Sequence, residues 1–494
     1  MKYLIVSFLL LLSLPLFAQQ KPHIFLIMTD QQRGDCLGKE NPIIKTPHLD
    51  QLADDGVWFS NGYASVPSCT PARAGLLTGM SPWQHGMLGY YKVAEKYTHE
   101  MPQMLKDAGY QTVGIGKMHW HPQRNLHGFH QTLLDESGRV ESNDFVSDYR
   151  RWFVKQAPDV DPDATGIGWN EHRASTYLLA EDLHPTYWTA QTAIDIVKEH
   201  KSDDPLFMKV SFARPHSPYD PPKRYLDMYE DAEIPEPYIG EWATQFADYP
   251  ENKDAAFGDY GIDHALKSRR HYYAAITFID DQIGRFIEEL KAQGMYENAL
   301  IIFVSDHGDM MGDHNHWRKT YAYEGSTRVP FILKWPASFK SRVEEGSEQL
   351  ACVELRDILP TMLDVSGIDQ PEEMDGLSML SLINSKKPKW RTYIDLEHAT
   401  TYDQHNYWCA LTDGKMKYVW FFRTGDEQLF DLENDKGEEK NCIKDAAYSA
   451  QAKVWRKHML KHLKERGAPY VVDGELSTFD KTILISPNYP KAGK

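Results

Sequence analysis

The chain has 494 residues, 41% of them hydrophobic and 25% charged, with a formal net charge of −17. That length exceeds one small core, and the composition is that of a folded globular protein rather than a disordered or fibrous one. The acidic balance argues against a nucleic-acid binder, and it means that an anionic ligand would need a local cationic pocket working against the overall field.

In chain order, Lys2 precedes an apolar run from Tyr3 to Phe17, followed by Ala18 and polar Gln19-Gln20. This is the pattern of a secretory signal peptide over residues 1–18, so the mature protein is expected to be exported, periplasmic or secreted. The run is shorter than a spanning helix, so no stable membrane insertion is expected after cleavage. Removing residues 1–18 takes away one lysine and no acid, which moves the formal charge from −17 to −18.

Four apolar runs then end in polar residues: His23 to Thr29 before Asp30-Gln31, Thr112 to Ile115 before Lys117 and His119, Leu206 to Phe212 before Arg214 and His216, and Leu300 to Ser305 before Asp306-His307. Continuous apolar runs of this length are expected of parallel strands covered on both faces. Ligands bind beyond the carboxyl ends of such strands, so the four polar endings predict one composite site. Helical patterns at Thr46–Gly56, Glu100–Ala108, Thr186–His200 and His264–Gly294 alternate with them. The alternation predicts an α/β fold with a large, mostly parallel central sheet flanked by helices. From about Lys387 the pattern changes to short strands at Thr392–Leu396, Trp408–Leu411, Tyr418–Phe422 and Gln428–Asp431, with a closing helix over Ala446–Gly467. The expected organisation is a catalytic domain over 21–386 and a smaller C-terminal subdomain of antiparallel sheet plus helix over 387–494.

The chemistry concentrates around Cys69-Thr70-Pro71-Ala72-Arg73, which runs on into Ala74-Gly75-Leu76-Leu77-Thr78-Gly79. Pro71 suits the first turn of a helix reaching Leu77, with Cys69 just before its N-terminus, where the helix dipole lowers a thiol pKa. Asp30 and Asp306, each ending a predicted strand, have the placement of carboxylates that converge on a metal. Five cysteines in an exported chain leave at least one unpaired, and Cys69 is the natural candidate, with Cys36 read as structural.

The Cys-x-Pro-x-Arg stretch resembles the signature of the formylglycine-dependent (type I) sulfatases of the alkaline phosphatase superfamily, and the leader resembles that of bacterial exported carbohydrate sulfatases. Gly116-Lys117-Met118-His119, Pro215-His216-Ser217-Pro218 and Lys319 after the Asp306 motif are similar to further elements of that family. The resemblance implies an alkaline-phosphatase-like fold and hydrolysis of sulfate esters. It implies a maturation enzyme that oxidises Cys69 to formylglycine, whose hydrate attacks sulfur. It places metal ligands at Asp30, Gln31, the modified Cys69, Asp306 and His307, and sulfate contacts at Lys117, His216 and Lys319. Arg73 would orient the nucleophile, His119 would act on the diol, and His216 would protonate the leaving alcohol. Gln31 stands where a second aspartate is frequent, and His307 where asparagine is frequent. Calcium is the metal the family implies, with manganese as the alternative because an imidazole suits it better.

The expected substrate is a sulfated glycan, with chondroitin or dermatan sulfate favoured. Two other readings are a phosphodiesterase or phosphonate monoester hydrolase of the same superfamily and a non-catalytic glycan binder. Arg124, His127, Trp169, Asn170, His172, Arg173, Glu397, His398 and the stretch Tyr402–Trp408 are the candidate sugar contacts.

Overall fold

The computed structural model describes residues 21–137, 139, 144–248 and 254–491; the expected signal peptide lies outside the described residues. Eight strands form one sheet: β1 (His23–Asp30), β2 (Val57–Phe59), β3 (Gln111–Gly116), β4 (Gln131–Leu134), β5 (Leu206–Pro215), β6 (Ala299–Ser305), β7 (Phe331–Lys334) and β8 (Glu348–Gln349). Their order is β4-β3-β5-β1-β6-β7-β2-β8. The run from β4 to β6 is parallel throughout, while β7 is antiparallel to both β6 and β2.

The sequence of β1 explains its central place. Ile24, Leu26 and Met28 face a core shared with Ala72, Leu76 and Leu77 of α2 (Cys69–Thr78). Phe25 and Ile27 face a second core shared with Leu49 and Leu52 of α1 (Pro47–Asp54), with Ala190 and Ile194 of α3 (Pro185–Glu199) and with Ile279 and Ile283 of α4 (Ile262–Ala292). A strand whose alternate residues are both apolar buries both faces only between two helical layers. The neighbours β3, β5, β1 and β6 end side by side, which brings Lys117, His216, Asp30 and Asp306 to one edge of the sheet. The shorter strands β2, β4, β7 and β8 carry too few residues to show a period, so the sequence did not mark them.

The separate C-terminal sheet is antiparallel and follows chain order: β9 (Ile394–His398), β10 (Trp408–Thr412), β11 (Met416–Phe421) and β12 (Glu427–Asp431). Helix α5 (Ser449–Lys464) packs Trp455, Met459 and Leu463 against Cys409, Leu411 and Tyr418 on one face. The other face shares a core with Met310, Tyr321, Ala322 and Tyr323 of the segment that carries Lys319. This contact fixes a strained turn. Thr320 has a left-handed φ of 84°. Its hydroxyl accepts from Asn406 Nδ2 at 2.9 Å, and its carbonyl accepts from Trp408 Nε1 at 3.0 Å. All five cysteines are buried and unpaired.

Asn406 is 7% exposed and spans this junction. Asn406→Ala removes the donor and leaves buried acceptors without it. It should cost about 1–2 kcal/mol, read as a lower urea midpoint with an unchanged m-value.

Candidate active site

Cys69 is the first residue of α2, one position further in than the sequence pattern suggested, with Ser68 as the N-cap. Ser68 makes no cap bond with its side chain; its Oγ lies 2.8 Å from His398 Nε2 instead. Because His398 Nδ1 faces the carbonyl of Ala399, the Ser68 hydroxyl donates to Nε2. Cys69 Sγ lies 3.1 Å from His307 Nε2, 3.4 Å from Lys319 Nζ and 3.9 Å from Asp30 Oδ1. Burial and the Asp30 charge oppose a thiolate there, but Lys319, Lys117 and His307 outweigh them and hold the thiol well below its ordinary pKa.

Arg73 follows Cys69 by four residues, one helical turn, so both project from the same face of α2. Its guanidinium is fully buried and spends its fork on four partners. Nε donates to Asp306 Oδ2 at 2.9 Å, Nη2 to Asp30 Oδ2 at 3.1 Å, and Nη1 to the Lys117 carbonyl at 2.5 Å and to Ser211 Oγ at 3.1 Å. Burial opposes ionisation of Asp30, yet Lys117, His216, Arg73 and Lys319 together keep it ionised well below the carboxylate range. Asp306 goes the other way, raised by burial and by the neighbouring Asp30.

Asp30, Cys69, Asp306 and His307 offer one donor atom each within 4.8 Å of one another, all buried. His307 Nδ1 donates to the Gly308 carbonyl at 2.9 Å, which turns Nε2 toward Asp306 Oδ1 at 3.6 Å and Asp30 Oδ1 at 3.9 Å. Two carboxylates and an oriented imidazole fit a divalent cation. Gln31, at a left-handed φ of 73°, donates its backbone N–H to Asp306 Oδ1 at 3.1 Å. Its side-chain carbonyl accepts from Lys319 Nζ at 2.8 Å, and its amide nitrogen donates to Asp309 Oδ2 at 2.5 Å.

The cations surround this set. Lys117 Nζ is paired with Asp30 Oδ2 at 2.5 Å and makes no directed hydrogen bond. His216 donates its backbone N–H to the Asp30 carbonyl and Nδ1 to the Ser217 carbonyl at 3.0 Å, leaving a buried Nε2 without a partner. Burial, with Lys319 and Lys117 nearby, pushes its imidazolium pKa well down. His119 is lowered for a similar reason, by burial and then by Arg139, whose Nη1 contacts its ring. The structure thus brings all ten residues named from the sequence, Asp30, Gln31, Cys69, Arg73, Lys117, His119, His216, Asp306, His307 and Lys319, to one buried edge of the sheet.

The sulfatase pattern matches residues 22–368, most of the chain. The chain belongs to the sulfatase family. A second pattern, described as N-sulphoglucosamine sulphohydrolase, C-terminal, matches residues 312–466. An arylsulfatase of Clostridium perfringens is 41% identical over 471 residues, spanning 92% of this chain and 97% of that protein. An N-acetylglucosamine-6-O-sulfatase of Bacteroides thetaiotaomicron is 24% identical over 529 residues, spanning 91% of this chain and 87% of that protein. The crystal structure of a phosphonate monoester hydrolase of Agrobacterium radiobacter matches with a TM-score of 0.76 at 25% identity, covering 93% of this chain and 100% of that one. The protein is a sulfuric ester hydrolase with the alkaline-phosphatase-like fold that the family resemblance implies.

Several residues of this sulfatase's site carried no sequence signal. Asp309 accepts from Gln31, from Tyr219 OH at 2.6 Å and from the Met311 and Arg318 N–H groups, each at 3.0 Å. Glu136 and Arg139 approach His119 from the exit of β4. Of the candidate sugar contacts, His127 is committed to Glu100 at 2.7 Å and Glu397 to Arg466 at 2.7 Å, both buried. Arg124 pairs with Asp148 at 2.6 Å, Arg173 pairs with Glu171, and His172 stacks on Trp317. These residues hold loops together. His398 stands behind Ser68, and Tyr402 lies against Arg318 with 4.3 Å between guanidinium carbon and ring centroid.

Arg73→Met would strand two buried carboxylates at once. It should destabilise the folded protein by about 3–5 kcal/mol, measured by urea unfolding against the wild type.

Proposed function

We propose that the enzyme is exported and removes sulfate from a sulfated carbohydrate, with glycosaminoglycans of the chondroitin or dermatan type as the favoured substrates. The observation that carries this reading is the setting of Cys69: a buried sulfur ringed by Lys319, Lys117 and Arg73, with His216 Nε2 and Lys117 Nζ lacking hydrogen-bond partners. A tetrahedral anion supplies an acceptor for Lys117 Nζ, and its charge favours the protonated His216 whose Nε2–H can then donate to it. When present, formylglycine at position 69 supplies a hydrated aldehyde as nucleophile, and a divalent metal held by Asp30, Gln31, Asp306 and His307 supplies Lewis acidity. Oxygen donors predominate, so calcium is assigned, with manganese as the alternative that His307 favours.

The roles of the chain's own groups follow from their positions. Lys117, Lys319 and His216 hold the sulfate oxygens. Arg73 fixes the Asp30–Asp306 pair, and a carboxylate of that pair accepts the nucleophile's proton. His216, anchored through Nδ1, presents Nε2 to the leaving alcohol; the negative charge of a bound ester offsets the burial and the lysines that keep the free imidazole neutral. His119 accepts the proton that releases sulfate. A competing reading, a phosphodiesterase or phosphonate monoester hydrolase, draws on the uncharged Gln31 and the imidazole of His307 near the metal donors.

Three measurements bear on this reading. Protein made with the maturation enzyme should show the peptide containing Cys69 lightened by exchange of the thiol for an aldehyde oxygen, and Cys69→Ala should lower sulfate-ester turnover by on the order of 10⁴-fold or more. An unmodified thiol in a fully active preparation would rule out the nucleophile named here. Chelation should abolish activity, and calcium should restore it better than manganese; the reverse order reassigns the metal. Chondroitin and dermatan sulfate oligosaccharides should be desulfated in preference to aryl phosphodiesters and phosphonates.

A further inference from the structure

Glu136 is 1% exposed, and its hydrogen bonds go to the backbone of the turn that carries Lys117 and His119. Oε1 accepts the Met118 N–H at 3.0 Å and the His119 N–H at 3.0 Å, and Oε2 approaches the same His119 N–H at 3.2 Å. The turn needs such a clamp. Gly116 has a φ of 85° where an added Cβ would run into the Ser211 carbonyl, and His119 has a φ of 59°, which disfavours any residue with a Cβ. The other side of the turn is held by Lys117 N–H to the Ser211 carbonyl at 2.8 Å and by Arg73 Nη1 to the Lys117 carbonyl.

We infer that Glu136 is a positioning residue for the sulfate-holding turn Lys117–His119, acting through two consecutive backbone N–H groups without touching the substrate. The inference rests on the sulfatase reading above. A carboxylate suits the place because both its oxygens only accept, whereas an amide would turn a donor toward one of the N–H groups. Burial raises its carboxyl pKa, and the two backbone N–H bonds, then Lys117 and Arg73, act against that rise in favour of the carboxylate. Arg139, three residues on, sets its guanidinium against the His119 ring, so the exit of β4 holds His119 by backbone and by ring. Freed of the clamp, the turn relaxes toward ordinary backbone angles, and Lys117 Nζ and the His119 ring move away from the position of the sulfate. Displacements of this kind near reacting groups are expensive.

The test uses full-length, matured Glu136→Gln enzyme, with formylglycine occupancy matched to the wild type by peptide mass. Inorganic sulfate affinity is measured by titration calorimetry, and kcat and KM are measured on 4-nitrophenyl sulfate. The expected result is a sulfate Kd and a KM both raised, with kcat/KM lower by about 10- to 100-fold. A loss confined to the number of active sites, with Kd and KM at wild-type values, would mean that Glu136 supports only folding and would overturn the inference. So would a variant indistinguishable from the wild type. A wild type that binds sulfate but cleaves no sulfate ester would sink the hydrolytic reading alone, because the ratio of the two sulfate affinities still decides the role of Glu136.

Discussion

The site depends on Arg73. Two carboxylates with no solvent exposure, Asp30 and Asp306, end adjacent strands of a sheet packed on both faces, and bringing them together costs several kcal/mol per ion unless the charge is matched. A lysine would meet one of them as a point charge. The planar guanidinium of Arg73 reaches both, and it also bonds the carbonyl of Lys117 and the hydroxyl of Ser211. It thereby ties α2, β3, β5, β1 and β6 together at the edge where their polar residues emerge. Placing the arginine one turn after the cysteine makes this lock and Cys69 part of the same helix. The spacing in Cys-x-Pro-x-Arg is therefore a mechanical requirement of the fold.

The central strands and the named site residues were legible because their signals are local. An apolar run such as Ile24 to Met28 states its own burial, and Asp30 at its end states where the chain meets the site. Pro71 and Gly79 likewise mark the ends of α2. The supporting residues were not legible because their partners are remote. Glu136 lies 18 residues from Met118, Asp309 lies 278 from Gln31, and Asn406 lies 86 from Thr320. A single acid or amide in a loop looks the same whether it is solvated or clamping a strained turn. Two of the sugar-contact candidates show the same difficulty in reverse: His127 and Glu397 look like free polar residues but are buried and bonded to Glu100 and Arg466.

The C-terminal sheet enters the site without contributing to its named residues. Its inner face packs under the segment carrying Lys319, while Trp408 and Asn406 bond the next residue, Thr320, in a left-handed conformation. Its first strand ends at His398, which takes the hydroxyl of Ser68 beside Cys69. The small sheet thus bears on the residues next to Cys69 and Lys319. Such contacts fit a site that must stay rigid around a small, highly charged group.

Gln31 shows how the charge is tuned. Its amide is a bridge: the nitrogen end is held by the carboxylate of Asp309, and the carbonyl end accepts from Lys319, which also reaches Cys69. An aspartate at this place would bring one negative charge that both neutralises Lys319 and repels Asp309. The neutral amide avoids the repulsion and leaves the lysine's charge uncompensated while still fixing its direction. Arg73, Lys117 and Lys319 stand beside two carboxylates, Asp30 and Asp306; burial and neighbouring cations push His119 and His216 toward the neutral form, whereas the adjacent Asp306 pulls the buried His307 toward the charged one. In a chain that is strongly acidic overall, this cluster of cations is the setting an anionic ester needs, and a glutamine in place of an aspartate adds no negative charge to it.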